Sequence, residues 1–295
     1  MAYGTPSSEN EIEPYLTDIR RGRKPSSHAI EALKERYRKI GGRSPLLDIT
    51  IAQASALEKT LNSEGLETRV YVGMKHWHPY IKDVVPQIVR DGFRGIIAVV
   101  LAPHYSHMST GSYQQALNEA LEASHSLQDD FVESWHDHPL FHQAVAEKIS
   151  EALKQFPAST EVEVIFTAHS LPERILQQND PYPKQLHSSC QAVANQLKID
   201  RWSFAYQSAG QGDEKWLGPG ILEVLKEMSR SAKACNVLVV PIGFVADHLE
   251  ILYDIDIEAQ SFAKAHDLNL KRTKSLNISP TFIAALADIV RRRLN

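Results

Sequence analysis

The sequence predicts an α/β protein of two similar Rossmann-like domains, each doubly wound around a parallel sheet, facing each other across a cleft. Three observations predict it. Short apolar runs alternate with helical patterns throughout, four strands to a half if a clipped first one is counted. Runs such as 95–101 (GIIAVVL) and 236–241 (NVLVVP) are continuously apolar, as strands covered on both faces are. The halves also echo one another: GIIAVVLAPHYS and NVLVVPIGFVAD hold matching places, as do AYGTP and TAHSLP. Residues 156–160 (FPAST) divide them, giving domains at 1–156 and 157–295.

The first half opens on Ala2-Tyr3-Gly4-Thr5-Pro6, the end of a strand running into a turn. A helix is expected over 9–19. A basic knot follows, Arg20, Arg21, Arg23 and Lys24, closed by Pro25. It reads either as a solvated loop or as an anion clamp, because arginine forks suit carboxylates and phosphates. A helix over 26–40 ends at Gly41-Gly42, residues able to adopt the left-handed conformation that closes helices. The next runs from Arg43-Ser44-Pro45 to about 63. Residues 68–72 read as a strand, Lys75-His76-Trp77-His78-Pro79 as a loop, and a helix then reaches 90. Strand 95–101 leads to His104 and His107, helix 111–127 begins near Tyr113, strand 131–135 leads to His136 and His138, and helix 140–155 closes the half. Each histidine pair reads as a marker of a loop at a strand end or as a pair of metal ligands.

In the second half, strand 162–167 runs straight into Ala168-His169-Ser170. Helix 183–196, strand 202–206, a Gly-rich turn over 208–219 and helix 219–232 follow, then strand 236–241, an acidic helix, strand 268–273 and a last helix. In the acidic helix, Asp247 and Glu250 have capping-box spacing. Glu250, Asp254 and Glu258 recur at i, i+4 and i+8, within about 80° of arc on an ideal α-helix. Like charges so spaced oppose helix formation by roughly 0.2–0.5 kcal/mol per pair. The row is either a solvated face or a stripe of hard oxygen ligands for a divalent cation or a proton path. Ile251, Leu252 and Ile255 on one side, with Tyr253 and Ile257 on the other, narrow it to a stripe. The carboxyl end of a parallel strand is also where open α/β sheets bind ligands. His169 shares that placement and is either a base or metal ligand, or a hydrogen-bonded structural histidine.

Composition narrows the classes. With 295 residues, 43% apolar, a packed core is available. A net charge of −4 and no dense basic block argue against a nucleic-acid partner. Two cysteines, Cys190 and Cys235, are too few for a four-thiolate iron–sulfur cluster and read as reduced thiols of a cytoplasmic protein. No membrane-length apolar run or signal peptide is present. Neither a Gly-x-Gly-x-x-Gly nor a P-loop follows a strand, and Ser170 lacks a Gly-x-Ser-x-Gly elbow.

AYGTP, RRGRKP, RYRKIGGRSPL, LAPHYS, TAHSLPE, DPYP, KWLGP and PIGFVADHLEILYDID, in this order, resemble the ferrochelatases over nearly the whole chain. The AYGTP opening is similar to the Gram-positive type, which inserts iron into coproporphyrin III in haem b biosynthesis. The resemblance implies that the cleft holds the tetrapyrrole and that Fe2+ is the substrate metal, without an iron–sulfur cluster. It gives His169 and Glu250 to the metal and the pyrrole protons, and Asp254 and Glu258 to an outward path with a place for an outer cation such as Mg2+. Tyr3 would ligate the product's iron from the opposite face. Arg20, Arg36, Tyr37, Ser44 and Tyr113 would contact the porphyrin or its propionates, with Arg21 and Arg23 as weaker candidates. The family's buried first strand would precede this turn. A monomer making transient contact with neighbouring haem-pathway enzymes is expected. Protoporphyrin IX, a cobalt or nickel chelatase reaction, and non-catalytic porphyrin or haem carriage are the alternatives.

Overall fold

The computed structural model describes residues 1–122, 127–158, 160–210, 214–231 and 236–294; Cys235 and part of the Gly-rich turn lie outside these. The first half contains α1 (Ile12–Ile19), α2 (Ser27–Lys39), α3 (Leu46–Ser63), α4 (Ile81–Arg90), β1 (Gly95–Val99), α5 (Thr110–Glu122), β2 (Gln128–Val132) and α6 (Pro139–Leu153). The second contains β3 (Glu163–His169), α7 (Tyr182–Leu197), β4 (Trp202–Gln207), α8 (Ile221–Ser231), β5 (Asn236–Val240), a π-helix (Ile251–Ala259) continued by α9 (Gln260–Ala265), β6 (Asn269–Arg272) and α10 (Pro280–Leu294).

The chain is α/β with parallel sheets. In the second half all four strands are parallel, in the order β4-β3-β5-β6. Side-chain alternation explains why these runs are apolar throughout. Val164, Phe166, Leu238 and Val240 face one cluster, with Phe141 of α6 and Phe282 of α10. Ile165, Val237 and Val239 face the other, with Leu225 of α8 and Ile255 of the π-helix. Successive residues point to opposite faces, so a sheet covered twice needs both sets apolar. The first cluster also takes Leu57 and Leu61 of α3, so helices of the first half pack into the core beneath the second sheet.

The first half is sparser than predicted. Among the described residues its ladder joins only β1 and β2, in parallel register from Gly95↔Gln128 to Val99↔Val132. Residues 68–72 do not form the expected strand. A groove of about 580 Å³, lined by Val70, Tyr71 and Val72 and by Ile96, Ile97 and Ala98, lies where a ladder to β1 would run, and among the described residues that segment pairs with no strand. Pairing there shrinks to single bridges, Ala2 with Met74 and Met74 with Tyr80. Above the groove Met1 takes the strand's place, its amino group donating to the Val99 carbonyl at 2.6 Å. The strand expected over 131–135 lies earlier, and the Trp135 N–H donates to the Pro103 carbonyl at 3.0 Å instead. No helix among the described residues is long and apolar enough to cross a membrane.

Candidate active site

His169 ends β3, where the sheet stops and its side chain is one-third exposed. Its Nδ1 is hydrogen-bonded to the Ser170 carbonyl, so Nδ1 carries the proton and Nε2 is the free position. Nε2 lies 3.5 Å from Glu250 Oε1. The Tyr182 hydroxyl donates to the His169 carbonyl at 3.0 Å and holds the strand end. Trp216 stands beside the imidazole, ring centroids 6.4 Å apart.

Glu250 reaches His169 because β5 leaves its sheet through Gly243. A Cβ at Gly243 would lie 2.5 Å from that of Ala168, so only glycine lets the loop pass so close to β3. The predicted capping box does not form. Asp247 instead accepts from Ser275 Oγ at 2.7 Å, Asn277 Nδ2 at 2.8 Å and Arg272 Nη1 at 3.2 Å, pinning the loop to the chain after β6. Three side-chain donors close at hand outcompete the helix's own N–H groups. The acidic segment is also not an α-helix. Its N–H groups reach back five residues, as Gln260 N does to the Ile255 carbonyl, and such turns recur at functional sites. The carboxylates separate in depth: Glu250 is one-third exposed, Asp254 is buried and Glu258 is on the surface.

These depths set the charges. Burial alone would lower the His169 pKa, but the Glu250 charge and hydrogen bond, with the Ser170 carbonyl and Asp254, raise it to about 9. Burial alone would raise Glu250, but His169 and then His248, whose Nε2 is 3.4 Å away, hold it well below the carboxylate range. Burial pushes Asp254 up to about 6, with the Glu250 charge adding to this and Ser208 and Arg36 opposing it. Ser208 Oγ donates to Asp254 Oδ2, and Arg36 Nη1 stands 3.7 Å from Oδ1.

The remaining predicted residues divide. Tyr3, 42% exposed, meets His76 in a tilted ring contact with centroids 4.6 Å apart. Its turn is held by Gly4, whose φ of +101° and Trp77 contact exclude a side chain, and by the Tyr15 hydroxyl, which donates to the Gly4 carbonyl at 3.1 Å. Reduced solvation, and after it the Glu250 charge, raises the phenols of Tyr3 and Tyr37, and Glu250 also acts on Tyr113. Tyr113 is buried beneath the Lys75 ammonium, 5.3 Å from its ring centroid. Tyr37 and Ser44 are buried, with their hydroxyls engaged by Thr5 at 2.7 Å and the Leu46 N–H at 3.3 Å. Arg36 lies over Tyr253, 4.8 Å from its centroid, on the acidic wall. Arg20 is exposed, and so are Arg21 and Arg23. His104, His107, His136 and His138 follow β1 and β2 in loops, as expected of strand-end markers.

The sequence reading did not assign Ser208, Trp216 or Tyr182 to the site. Ser208 immediately follows Gln207, the β4 partner of His169 at the end of β3, and that parallel placement at two strand ends was the available signal. Among the described residues no three His, Cys, Asp or Glu side chains gather closely enough to hold a metal by themselves. The pair offers a cation one nitrogen and one oxygen, and a ligand must supply the rest.

Comparison with known proteins gives the family. The Ferrochelatase family model matches residues 1–294. A ferrochelatase of Herpetosiphon aurantiacus is 45% identical over 294 residues, covering 98% of this chain and 96% of its own. A coproporphyrin III ferrochelatase of Geobacillus sp. is 40% identical over 301 residues, covering 100% of this chain and 96% of its own. Among solved structures, SirB from Bacillus subtilis with Fe3+ superposes with a TM-score of 0.59 at 15% identity, over 82% of this chain and 88% of that one, a likeness of fold. The chain is an enzyme of the ferrochelatase family.

Proposed function

We propose that this enzyme inserts ferrous iron into coproporphyrin III, releasing two pyrrole protons, with His169 and Glu250 as the catalytic pair. The observation that carries the reading is their geometry: a base and a carboxylate 3.5 Å apart, each about one-third exposed, with Nε2 of the base toward the carboxylate. When His169 loses its second proton, the Nε2 lone pair is free for iron and Glu250 adds an oxygen. Two protein donors hold a cation weakly, which suits transfer. As the iron moves onto the pyrrole nitrogens, each N–H bond breaks and its electron pair remains on nitrogen to bind iron, which stays ferrous. The freed His169 Nε2 takes the two protons one after the other, and Glu250 relays each onward. Asp254, with its carboxyl near 6, exchanges protons near neutrality and passes them towards exposed Glu258. The same two acids are the place for an outer divalent cation such as Mg2+. Tyr3 serves the product's iron from the other wall.

The choice of coproporphyrin III is supported by relatives 40–42% identical that bear that activity in their names. It is also supported by cations that no described carboxylate pairs: Arg20, Arg21, Arg23 and Lys75 take part in no ion pair among the described residues. Four propionates require several such partners. The test is anaerobic. Protein, ferrous iron and either coproporphyrin III or protoporphyrin IX are mixed, and the loss of free-porphyrin fluorescence is followed. Fast loss with coproporphyrin III alone is expected. Preference for protoporphyrin IX overturns the substrate, and binding without insertion overturns the reaction.

A further inference from the structure

Lys75 is the most unusual cation in the first half. Its backbone N–H donates to the Ala2 carbonyl at 2.9 Å, which fixes it beside the Tyr3 turn. Its side chain runs inward to Ser112 Oγ at the start of α5 and lies over the Tyr113 ring. The Ser112 hydroxyl donates its own proton to the Ser109 carbonyl, so it meets the ammonium as an acceptor. An ammonium has three donors, and Ser112 takes one of them. No described carboxylate lies within ion-pair distance. The acid whose charge acts on it, Asp18, is itself hydrogen-bonded with His76 Nδ1 at 2.9 Å. Arg21, the other charge acting on Lys75, repels it and has no ion-pair partner among the described residues. Burial first, and the Arg21 charge second, lower the Lys75 pKa to about 8. A half-buried ammonium with no carboxylate partner is unfavourable unless an anion comes to it. Arg36 differs: it already faces Asp254 on the acidic wall.

We propose that Lys75 is a specificity-determining residue that receives one carboxylate arm of the tetrapyrrole beside Tyr3 and Tyr113. The inference rests on the proposed reaction and deepens it. A ring with carboxylates on more than one edge must place one near Lys75 as it lies against Tyr3. A ring with both carboxylates on a single edge can turn them to the exposed arginines and needs Lys75 less.

The test measures porphyrin affinity by fluorescence quenching without iron, and then insertion kinetics, for wild type, Lys75→Met and Lys75→Arg. Each protein is checked by thermal unfolding. Lys75→Met should weaken coproporphyrin III binding at least about tenfold and protoporphyrin IX binding less than about threefold. The loss should appear in KM with kcat nearly unchanged, and Lys75→Arg should recover most of it. Equal losses for both porphyrins, no loss for coproporphyrin III, or a loss confined to kcat overturn the proposal. The wild-type preference between the two porphyrins is read separately, so failure of the substrate assignment is distinguishable from failure of the Lys75 role.

Discussion

His169 leaves the end of a strand that has hydrogen-bonded neighbours on both sides and apolar clusters on both faces. Tyr3 and Lys75 stand on the other half, beside a two-stranded ladder whose free edge opens on a groove of about 580 Å³. The two regions are thus paired and packed unequally, and under the proposed function the inequality would suit what each is proposed to do. Metal donors must be placed within a fraction of an ångström, which demands a fully packed scaffold. A wall that receives a flat macrocycle gains from the lower opening free energy of a sparsely paired sheet.

The largest effect expected is on the rigid wall. His169→Ala should lower kcat by about 10²–10⁴-fold, the range for a lost acid–base group, while the dissociation constant for metal-free porphyrin stays within about threefold. Tyr113→Ala, on the sparser side, should act mainly through KM, by about five- to thirtyfold for one or two kcal/mol. If His169→Ala retained wild-type turnover, the assignment of chemistry to the second sheet would fall.

The next effect is on pH. The raised pKa means that iron capture by His169 grows as pH rises through about 9. Glu250→Gln removes the charge that raises it, leaving burial less opposed, so this limb should move to lower pH even as the rate falls. Stability follows the same signs. The contribution of His169, whose folded pKa is raised, is fully present below its ordinary value of 6.5 and fades as pH rises through about 9. That of Glu250, whose folded pKa is depressed, is present above its ordinary 4.5 and fades on acidification. Thermal unfolding of wild type should therefore lose stability at both extremes more than Glu250→Gln does. Identical pH profiles for the two proteins would break the link between the pair.

Native-state hydrogen exchange compares the scaffolds themselves. Central amides of β3 and β5 should exchange about tenfold or more slowly than those of β1, as deeper burial and two-sided pairing imply. Porphyrin should protect β1 and the Tyr3 turn more than β3.

The second sheet was legible because every term that makes it is local: continuous apolar runs, regular helices between them, and His169 at the end of a strand. The strand expected over 68–72 shows the limit. Its residues favour extended chain, but a ladder needs a neighbour, and neighbours are set by chain far away. Glu250 was found through a capping pattern that the structure does not use, since Asp247 turns to Arg272, Ser275 and Asn277. An acidic residue every fourth position fits a π-helix as readily as an α-helix, so the register was not readable. The pairing of Arg36 with Asp254 and the role of Ser208 are contacts between distant segments, for which neither residue carries a local signal.

The smallest expected effect makes the sharpest comparison, because one chemical change should act with opposite sign in the two halves. Ala205 of β4 is fully buried against α8, and Ala54 of α3 lines the groove. Leucine at 205 adds three carbons where no space remains, so Ala205→Leu should destabilise by about 1–3 kcal/mol. The same carbons at 54 enter open apolar space, so Ala54→Leu should stabilise by about 0.5–2 kcal/mol, as cavity-filling changes do. Denaturant unfolding measures both, and the m-values check that the transition itself is unchanged. A loss of stability in both variants would mean that the groove is closed in solution and that the first sheet is packed as tightly as the second. The difference in rigidity between the walls would then have to come from strand pairing alone.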